Sequence, residues 1–412
     1  MQKTRNIVIG QSGGPTAVIN ASVAGAYTEG KRLGAAKVYG MVNGIQGFLE
    51  EKLLDLESYL DTEEKLELLK RTPAAFLGTC RYKLPVLKGN EAVYEQIFAN
   101  MEKYDISTML YIGGNDSMDT VKMLSDYAAE HGRRERFIGI PKTIDNDLPV
   151  TDHCPGFGSA AKYIATSVKE VIRDNESFDG KVKLVFVEVM GRHAGWLTAA
   201  AGLCKGEDCE GVDGIYLPER AFDIEGFLTR LEKLTQTKAS IVIALSEGIK
   251  LADGRFVSEL AESTDEVDVF GHKQVAGCAT VLAGIVQKRL GIKARVIEPS
   301  LLQRAASHIA SLTDITEAFQ AGAAGVASAV EEGKSGVMIT LKRTANKPYT
   351  CVTESHDIHE IANVEHMVPE HFISRDGCQI TEAFLEYLRP LIMGELPPVF
   401  KDGLPVHLVR RG

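Results

Sequence analysis

The chain has 412 residues, 44% hydrophobic and 25% charged, which is the usage of ordinary globular protein and excludes a mostly disordered chain; at ~150 residues per domain it implies two or three domains. Lysine and arginine number 46 against 56 aspartates and glutamates, a formal net charge of −10, so no chain-wide nucleic-acid surface is expected, although a local basic pocket remains compatible with that total. The 7 cysteines are scattered without a C-x-x-C pair, no leader-like apolar segment opens the chain, and no apolar run reaches the ~20 residues that span a bilayer; together these point to the cytoplasm, with no membrane partner.

In chain order, one local unit recurs: a β-branched apolar run, a glycine-rich turn, then a helical pattern. NIVIG (6–10) leads into QSGGPTAVINASVAGAYTEG. TMLYIGG (108–114) leads into a segment whose Met118, Val121, Leu124, Tyr127 and Ala128 recur at helical spacing. FIGI (137–140) precedes PKTIDNDL, KLVFVEVM (183–190) precedes GRHAGWLTAAAGL, and ASIVIAL (239–245) precedes SEG. Continuous apolar strands separated by helices predict an α/β protein with mostly parallel sheets covered on both faces. A domain change is expected near residue 150, a small-residue helix and a strand over roughly 320–350, and an appendage of helix and loop over the last sixty or so residues.

Ligands of open α/β sheets bind beyond the carboxyl ends of the strands, and four of the five runs carry unusual polar or glycine content there. Gly13 and Gly14 let backbone N–H groups approach an anion, with the positive end of the following helix behind them; the alternative is a bare strand-to-helix turn. In GGNDSMD (113–119), Asn115, Asp116 and Ser117 stand where helix capping would suffice, but Asp116 and Asp119 add charge of the kind that meets phosphate through Mg²⁺. PKTIDNDLP (141–149) sets Asp145 and Asp147 on one side of an extended turn, just after Lys142 and Thr143. A carboxylate beside a cation and a hydroxyl can take a proton from an alcohol and hold the developing charge. In MGRHAGW (190–196), the forked donors of Arg192 suit a phosphoryl group, and His193 reads as a structural hydrogen-bonder. His356, His359, His366 and His371 make a histidine-rich tail, better read as solvent-exposed than as a metal site.

Taken in order, SGG, GGNDS, PKTIDND, MGRHAGW, SEG at 246–248 and LLQR at 301–304 resemble the phosphofructokinase family over roughly residues 5–345. Within it the chain is similar to the pyrophosphate-dependent 6-phosphofructokinases. The ATP-dependent members generally read G-G-D-G-S and P-G-T-I-D-N-D, where this chain has Asp116 and Lys142. Asp116 would occupy the room of a nucleotide α-phosphate, and Lys142 would place a cation by the transferring group.

The resemblance implies a fold of two Rossmann-like domains. Residues 1–149 with about 304–350 would bind the phosphate donor; 150–303 with part of 351–412 would bind the sugar phosphate. It implies pyrophosphate and fructose 6-phosphate as substrates, Mg²⁺ as cofactor, and a homodimer or homotetramer. Asp145 would be the base toward the sugar 1-hydroxyl, with Thr143 and Asp147 orienting the sugar and Met190, Gly191 and Arg192 bordering it. Glu247 would accept from a sugar hydroxyl and Arg304 would hold the 6-phosphate. Arg173 and Arg295 would reach across a subunit interface, Gly13 would hold pyrophosphate by its N–H, and Arg81 would contact the donor. Two departures stand out: Asn115 replaces the family's Mg²⁺-ligating aspartate, and Leu301 stands where a histidine or tyrosine is frequent. An ATP-dependent phosphofructokinase, or a non-catalytic sugar-phosphate-binding subunit, are the competing readings.

Overall fold

The computed structural model describes residues 5–80, 82–177, 182–261 and 277–410. In chain order its strands are β1 (Asn6–Gln11), β2 (Val38–Met41), β3 (Leu53–Asp55), β4 (Ile106–Gly113), β5 (Arg136–Pro141), β6 (Lys183–Val189), β7 (Gly214–Tyr216), β8 (Ser240–Ser246), β9 (Ala294–Ile297), β10 (Val337–Asn346), β11 (Tyr349–Asp357), β12 (Phe400–Lys401) and β13 (Leu404–Pro405). The chain divides into two units, one of residues 1–160, 304–366 and 390–412, the other of residues 161–303 and 367–389.

The first unit is built on a seven-stranded sheet in the order β11-β10-β5-β4-β1-β2-β3. Pairing is parallel from β2 through β1, β4 and β5 to β10, and antiparallel only where β3 and β11 close the two edges. Strand alternation divides the buried residues between two cores. Val8, Met109 and Tyr111 face a cluster with Met118, Val121 and Leu124 of the helix Asn115–Glu130. Ile7, Ile9, Leu110 and Ile112 face the other, with Ile19 and Val23 of the helix Ile19–Arg32 and Ala321 and Val326 of the helix Leu312–Val330. Burial on both faces explains why these strands read as unbroken apolar runs.

The second unit carries a four-stranded parallel sheet, β7-β8-β6-β9. Leu184, Phe186, Ile241, Ile243 and Leu245 pack with Phe227 and Leu231 of the helix Ile224–Thr235 and with Leu282 of the helix Cys278–Leu290. Among the described residues, no helix is long and apolar enough to cross a membrane.

The tail corrects the expected appendage. β11 pairs with β10 from Val337↔Asp357 to Asn346↔Tyr349, making it part of the main sheet. Ile358 and Ile361 then enter the first unit's core, while Phe384 of the helix Glu382–Leu388 packs on Trp196 in the second.

Candidate active site

Three strand ends of the first unit meet through a lysine. Beyond β1, Gly13 takes φ +73°, a left-handed conformation that a side chain would strain. The loop is held from below: the Gln11 side chain donates to Asn20 Oδ1 (2.9 Å) and accepts from Leu77 N (2.9 Å). The helix itself starts only at Ile19, five residues past Gly14, so the glycines do not open it directly as expected. Their capacity for an anion rests on the loop's own N–H groups.

Lys142, one residue beyond β5, is 4% exposed. Its N–H donates to Gly113 O at the end of β4 (3.0 Å), and its Nζ donates to Gly14 O (2.7 Å). A methyl group placed on Gly13 would stand 3.4 Å from Nζ. Burial pushes the amine down to about 8, against the pull of Asp145 and Asp147, with Arg304 adding to the depression. Arg304 is itself at the glycine loop, since a methyl group on Gly14 would stand 3.2 Å from its Nη1. The resemblance assigns Arg304 to the sugar 6-phosphate; in this unit it is gathered with Lys142 and Gly14.

The turn after Lys142 is fixed by its own atoms. Asp145 N donates to Thr143 Oγ1 (3.0 Å), Asn146 adopts φ +54°, and Asn146 Oδ1 accepts from Cys154 N (2.8 Å). Asp145 and Asp147 are half-buried on either side of buried Asn146, whose left-handed backbone breaks the extended run expected there. Burial, reinforced by the charge of Asp145, raises the Asp147 carboxyl to about 6. The Asp147 carbonyl accepts from His366 N (2.7 Å), which ties one tail histidine's backbone to this turn.

At the end of β4, Gly114 is the N-cap of the helix Asn115–Glu130 and no side chain caps it. Capping therefore does not explain Asn115, Asp116 and Ser117. Asp116 is exposed and stands 3.7 Å from Lys83. Asn115 Oδ1 is buried and lacks a hydrogen-bond partner among the described residues. A buried acceptor without a donor is unusual and suits a cation or a cation-bound water. Arg81 lies outside the described residues.

In the second unit, Met190–Arg192 follow β6. Gly191 takes φ +138°, its N–H donates to Glu247 Oε1 (3.3 Å), and its carbonyl accepts from Ser246 Oγ. Glu247 N donates back to Val189 O (3.0 Å), and Met190 N donates to Gln303 Oε1 (3.1 Å). Arg192 is exposed, with its guanidinium 5.1 Å from the centre of the Phe256 ring. Gln303, Ser246 and Phe256 were not foreseen from the sequence. Gln303 lies inside the LLQR motif, which was the available signal.

Arg173 and Arg295 are not brought to this loop. Arg173 pairs with Glu176 (2.9 Å), and Arg295 lies 3.8 Å from Asp174. Arg295 is level with Val185, five residues before Met190 and so ~16 Å upstream along the strand. In the tail, His359 sits between Asp357 (2.6 Å) and Asp126 (2.9 Å), His356 lies 3.6 Å from Glu354, and the His371 ring packs on Phe372. The His366 side chain is half-buried, and burial lowers its pKa. No cluster of three or more His, Cys, Asp or Glu able to hold a metal occurs among the described residues.

Residues 6–297 match the family described as Phosphofructokinase. The chain belongs to the phosphofructokinase family. Within that family it is 44% identical over 409 residues to the pyrophosphate–fructose 6-phosphate 1-phosphotransferase of Methylococcus capsulatus, covering 98% of this chain and 95% of the relative. It is 42% identical over 405 residues to the protein of the same name from Xanthomonas campestris pv. campestris, with 98% and 95% covered. The crystal structure of pyrophosphate-dependent phosphofructokinase from Nitrosospira multiformis superposes with a TM-score of 0.87 at 39% identity, covering 97% of this chain and 95% of that one. The two sheets flanked by helices are thus the phosphofructokinase fold.

Proposed function

We propose that this chain transfers a phosphoryl group reversibly from pyrophosphate to the 1-hydroxyl of fructose 6-phosphate, giving fructose 1,6-bisphosphate and phosphate. The observation that carries the donor choice is the buried Lys142 bonded to the Gly14 carbonyl, beside the left-handed Gly13. A cation set at the loop itself can hold a short diphosphate that has no nucleoside to anchor it. Asp116, exposed at the neighbouring helix start, repels the additional phosphate of a nucleotide.

Asp145 takes the proton of the 1-hydroxyl as that oxygen attacks phosphorus. The P–O bond to the leaving phosphate breaks, and its electron pair departs with the phosphate. Lys142, Arg192 and the Gly13 N–H hold the charge that develops, so catalysis is mostly positioning and electrostatics. Thr143, Asp147, Met190, Gly191 and Glu247 orient the sugar. Arg304, from its place beside Gly14, neutralises the phosphoryl side of the reaction. With pyrophosphate and no nucleotide as donor, the reaction runs in both directions.

Mg²⁺ is the cofactor of this reading: bound to pyrophosphate, it would neutralise charge on the donor. The unpartnered Asn115 Oδ1 fits as a neutral ligand to it, directly or through water, with Asp116 next to it in sequence and Asp145 just past the end of β5, the strand paired with β4. A cytoplasmic homodimer or homotetramer completes the reading, with Arg173 and Arg295 left for a second subunit.

Initial rates with fructose 6-phosphate and either pyrophosphate or ATP, with and without Mg²⁺, test the assignment. Pyrophosphate should support turnover and ATP should not; equal or faster turnover with ATP defeats it. The double variant Asp116→Gly with Lys142→Gly should admit ATP, and its unchanged exclusion would place the barrier elsewhere.

A further inference from the structure

Close to the turn that carries Asp145, the first unit contains a buried charged network that the proposed chemistry leaves unused. His153 is 2% exposed and lies between two carboxylates, with Nδ1 2.8 Å from Asp152 Oδ2 and Nε2 2.7 Å from Glu317 Oε2. Both ring nitrogens donate at once only in the imidazolium form. Burial works to lower the pKa of the ring, and the two carboxylates overcome it, raising it to about 9.

The network reaches further. Tyr349 OH donates to Glu317 Oε1 (2.7 Å), Arg343 donates to Asp152 Oδ2 from Nε (3.2 Å) and Nη2 (2.9 Å), and its guanidinium lies 5.1 Å from the Tyr349 ring centre. Two cations and two carboxylates balance, so the cluster is not a reservoir of net charge. Buried ionic groups generally stabilise a fold no better than apolar residues of the same volume. What they add is direction, and here the direction leads to the catalytic turn.

Two elements grip the segment 151–156 directly, the helix Leu312–Val330 through Glu317 and β10 through Arg343, and Tyr349 of β11 braces both of those side chains. The segment is also laced to the β10 backbone, with Asp152 N donating to Leu341 O (2.8 Å) and Leu341 N donating to the Thr151 side-chain Oγ1 (2.9 Å). The same segment then holds the turn. Cys154 N donates to Asn146 Oδ1 (2.8 Å), and Pro155 O accepts from Thr143 N (3.3 Å). Those bonds set the left-handed Asn146 between Asp145 and Asp147.

We propose that His153, clamped by Asp152 and Glu317, is a positioning residue that fixes the carboxylates of the Lys142–Asp147 turn through the segment 151–156. The inference rests on the phosphoryl-transfer reading above. An ångström of misplacement at a reacting group can cost ~10²-fold in rate, so the signature belongs in kcat.

The test compares the parent enzyme with His153→Gln, Glu317→Gln and the double variant, measuring kcat, both KM values and amide hydrogen exchange over residues 142–156. His153→Gln should lose kcat by about 10- to 100-fold, keep each KM within about threefold, and exchange faster over that segment. In the double variant two amides can bond to one another, and kcat should recover at least about fivefold over His153→Gln. A His153→Gln kcat within twofold of the parent overturns the proposal, as does a loss confined to one KM or one that only tracks the fraction of folded protein. If His153→Gln does not fold, Tyr349→Phe takes its place; it should lower kcat by about two- to fivefold at constant KM, and a parent-like kcat overturns the proposal. A parent enzyme inactive with pyrophosphate would defeat the proposed function instead. The exchange measurement would then still decide whether His153 orders the turn.

Discussion

Lys142 and Arg192 are both cations just past the carboxyl end of a parallel strand, yet their settings differ in nearly every physical respect. Lys142 is buried, bonded to a backbone carbonyl, and depressed to about 8 by desolvation. Arg192 is exposed and rests over a phenyl ring. The carboxylates follow suit: Asp147 is raised to about 6 in a turn held by hydrogen bonds, while Glu247 is exposed and spends one oxygen on a single long bond to Gly191. The first unit has its charges placed before any ligand arrives. The second, in the proposed function, offers polar groups that a sugar phosphate must still order. Rate should therefore be most sensitive to the first turn and substrate affinity to the second.

The largest expected effect is on the first turn. Asp145→Asn should lower kcat by about 10³-fold or more while the KM for fructose 6-phosphate stays within a few-fold, read from initial rates. A comparable loss in KM alone would erase the distinction between the two turns. Lys142→Met should reduce kcat/KM for pyrophosphate by about 10²-fold, since a charge-assisted contact in a desolvated site is lost.

The pH profile sharpens the same contrast. With Asp147 protonated below about 6 and Lys142 neutral above about 8, kcat/KM should fall on both sides of that window. The acid limb should disappear in Asp147→Asn and the alkaline limb should shift in Lys142→Arg. On the second turn, Arg192→Ala should raise the KM for fructose 6-phosphate by about 10- to 100-fold and, because Arg192 also meets the developing charge, lower kcat, though by less than Asp145→Asn does. Smallest of all, Phe256→Leu removes the ring under Arg192, and the KM should rise only about two- to fivefold.

Much of this was legible in the residues. The apolar runs of β1, β4, β5, β6 and β8 identify parallel strands because both sheet faces are covered, and the glycine and acidic residues after them mark the ligand end. β11 escaped notice because an antiparallel edge strand, YTCVTESHD, keeps its charged residues and shows no buried run. The orphaned Asn115 Oδ1 and the nearness of Arg304 to Gly14 depend on packing between segments far apart in sequence. The same holds for His153, whose partner Glu317 lies 164 residues away. No local pattern encodes such meetings. Lys142 is intermediate: its position beside Asp145 was evident, but its burial and its bond to Gly14 were not.

The strand order also bears on how the protein is made. β5 takes its second neighbour from β10, which begins at Val337, so roughly 200 further residues must leave the ribosome after Pro141 before that edge can be paired. Throughout that interval the row of N–H and C=O groups beside the Lys142 turn stays open to foreign strands. A nascent chain stalled or cut before residue 337 would keep the motifs of its catalytic turn while presenting an unprotected apolar strand. The late β10–β11 hairpin thus acts as a closing seam for the first unit, and termination before residue 337 should yield aggregates, not a smaller working enzyme.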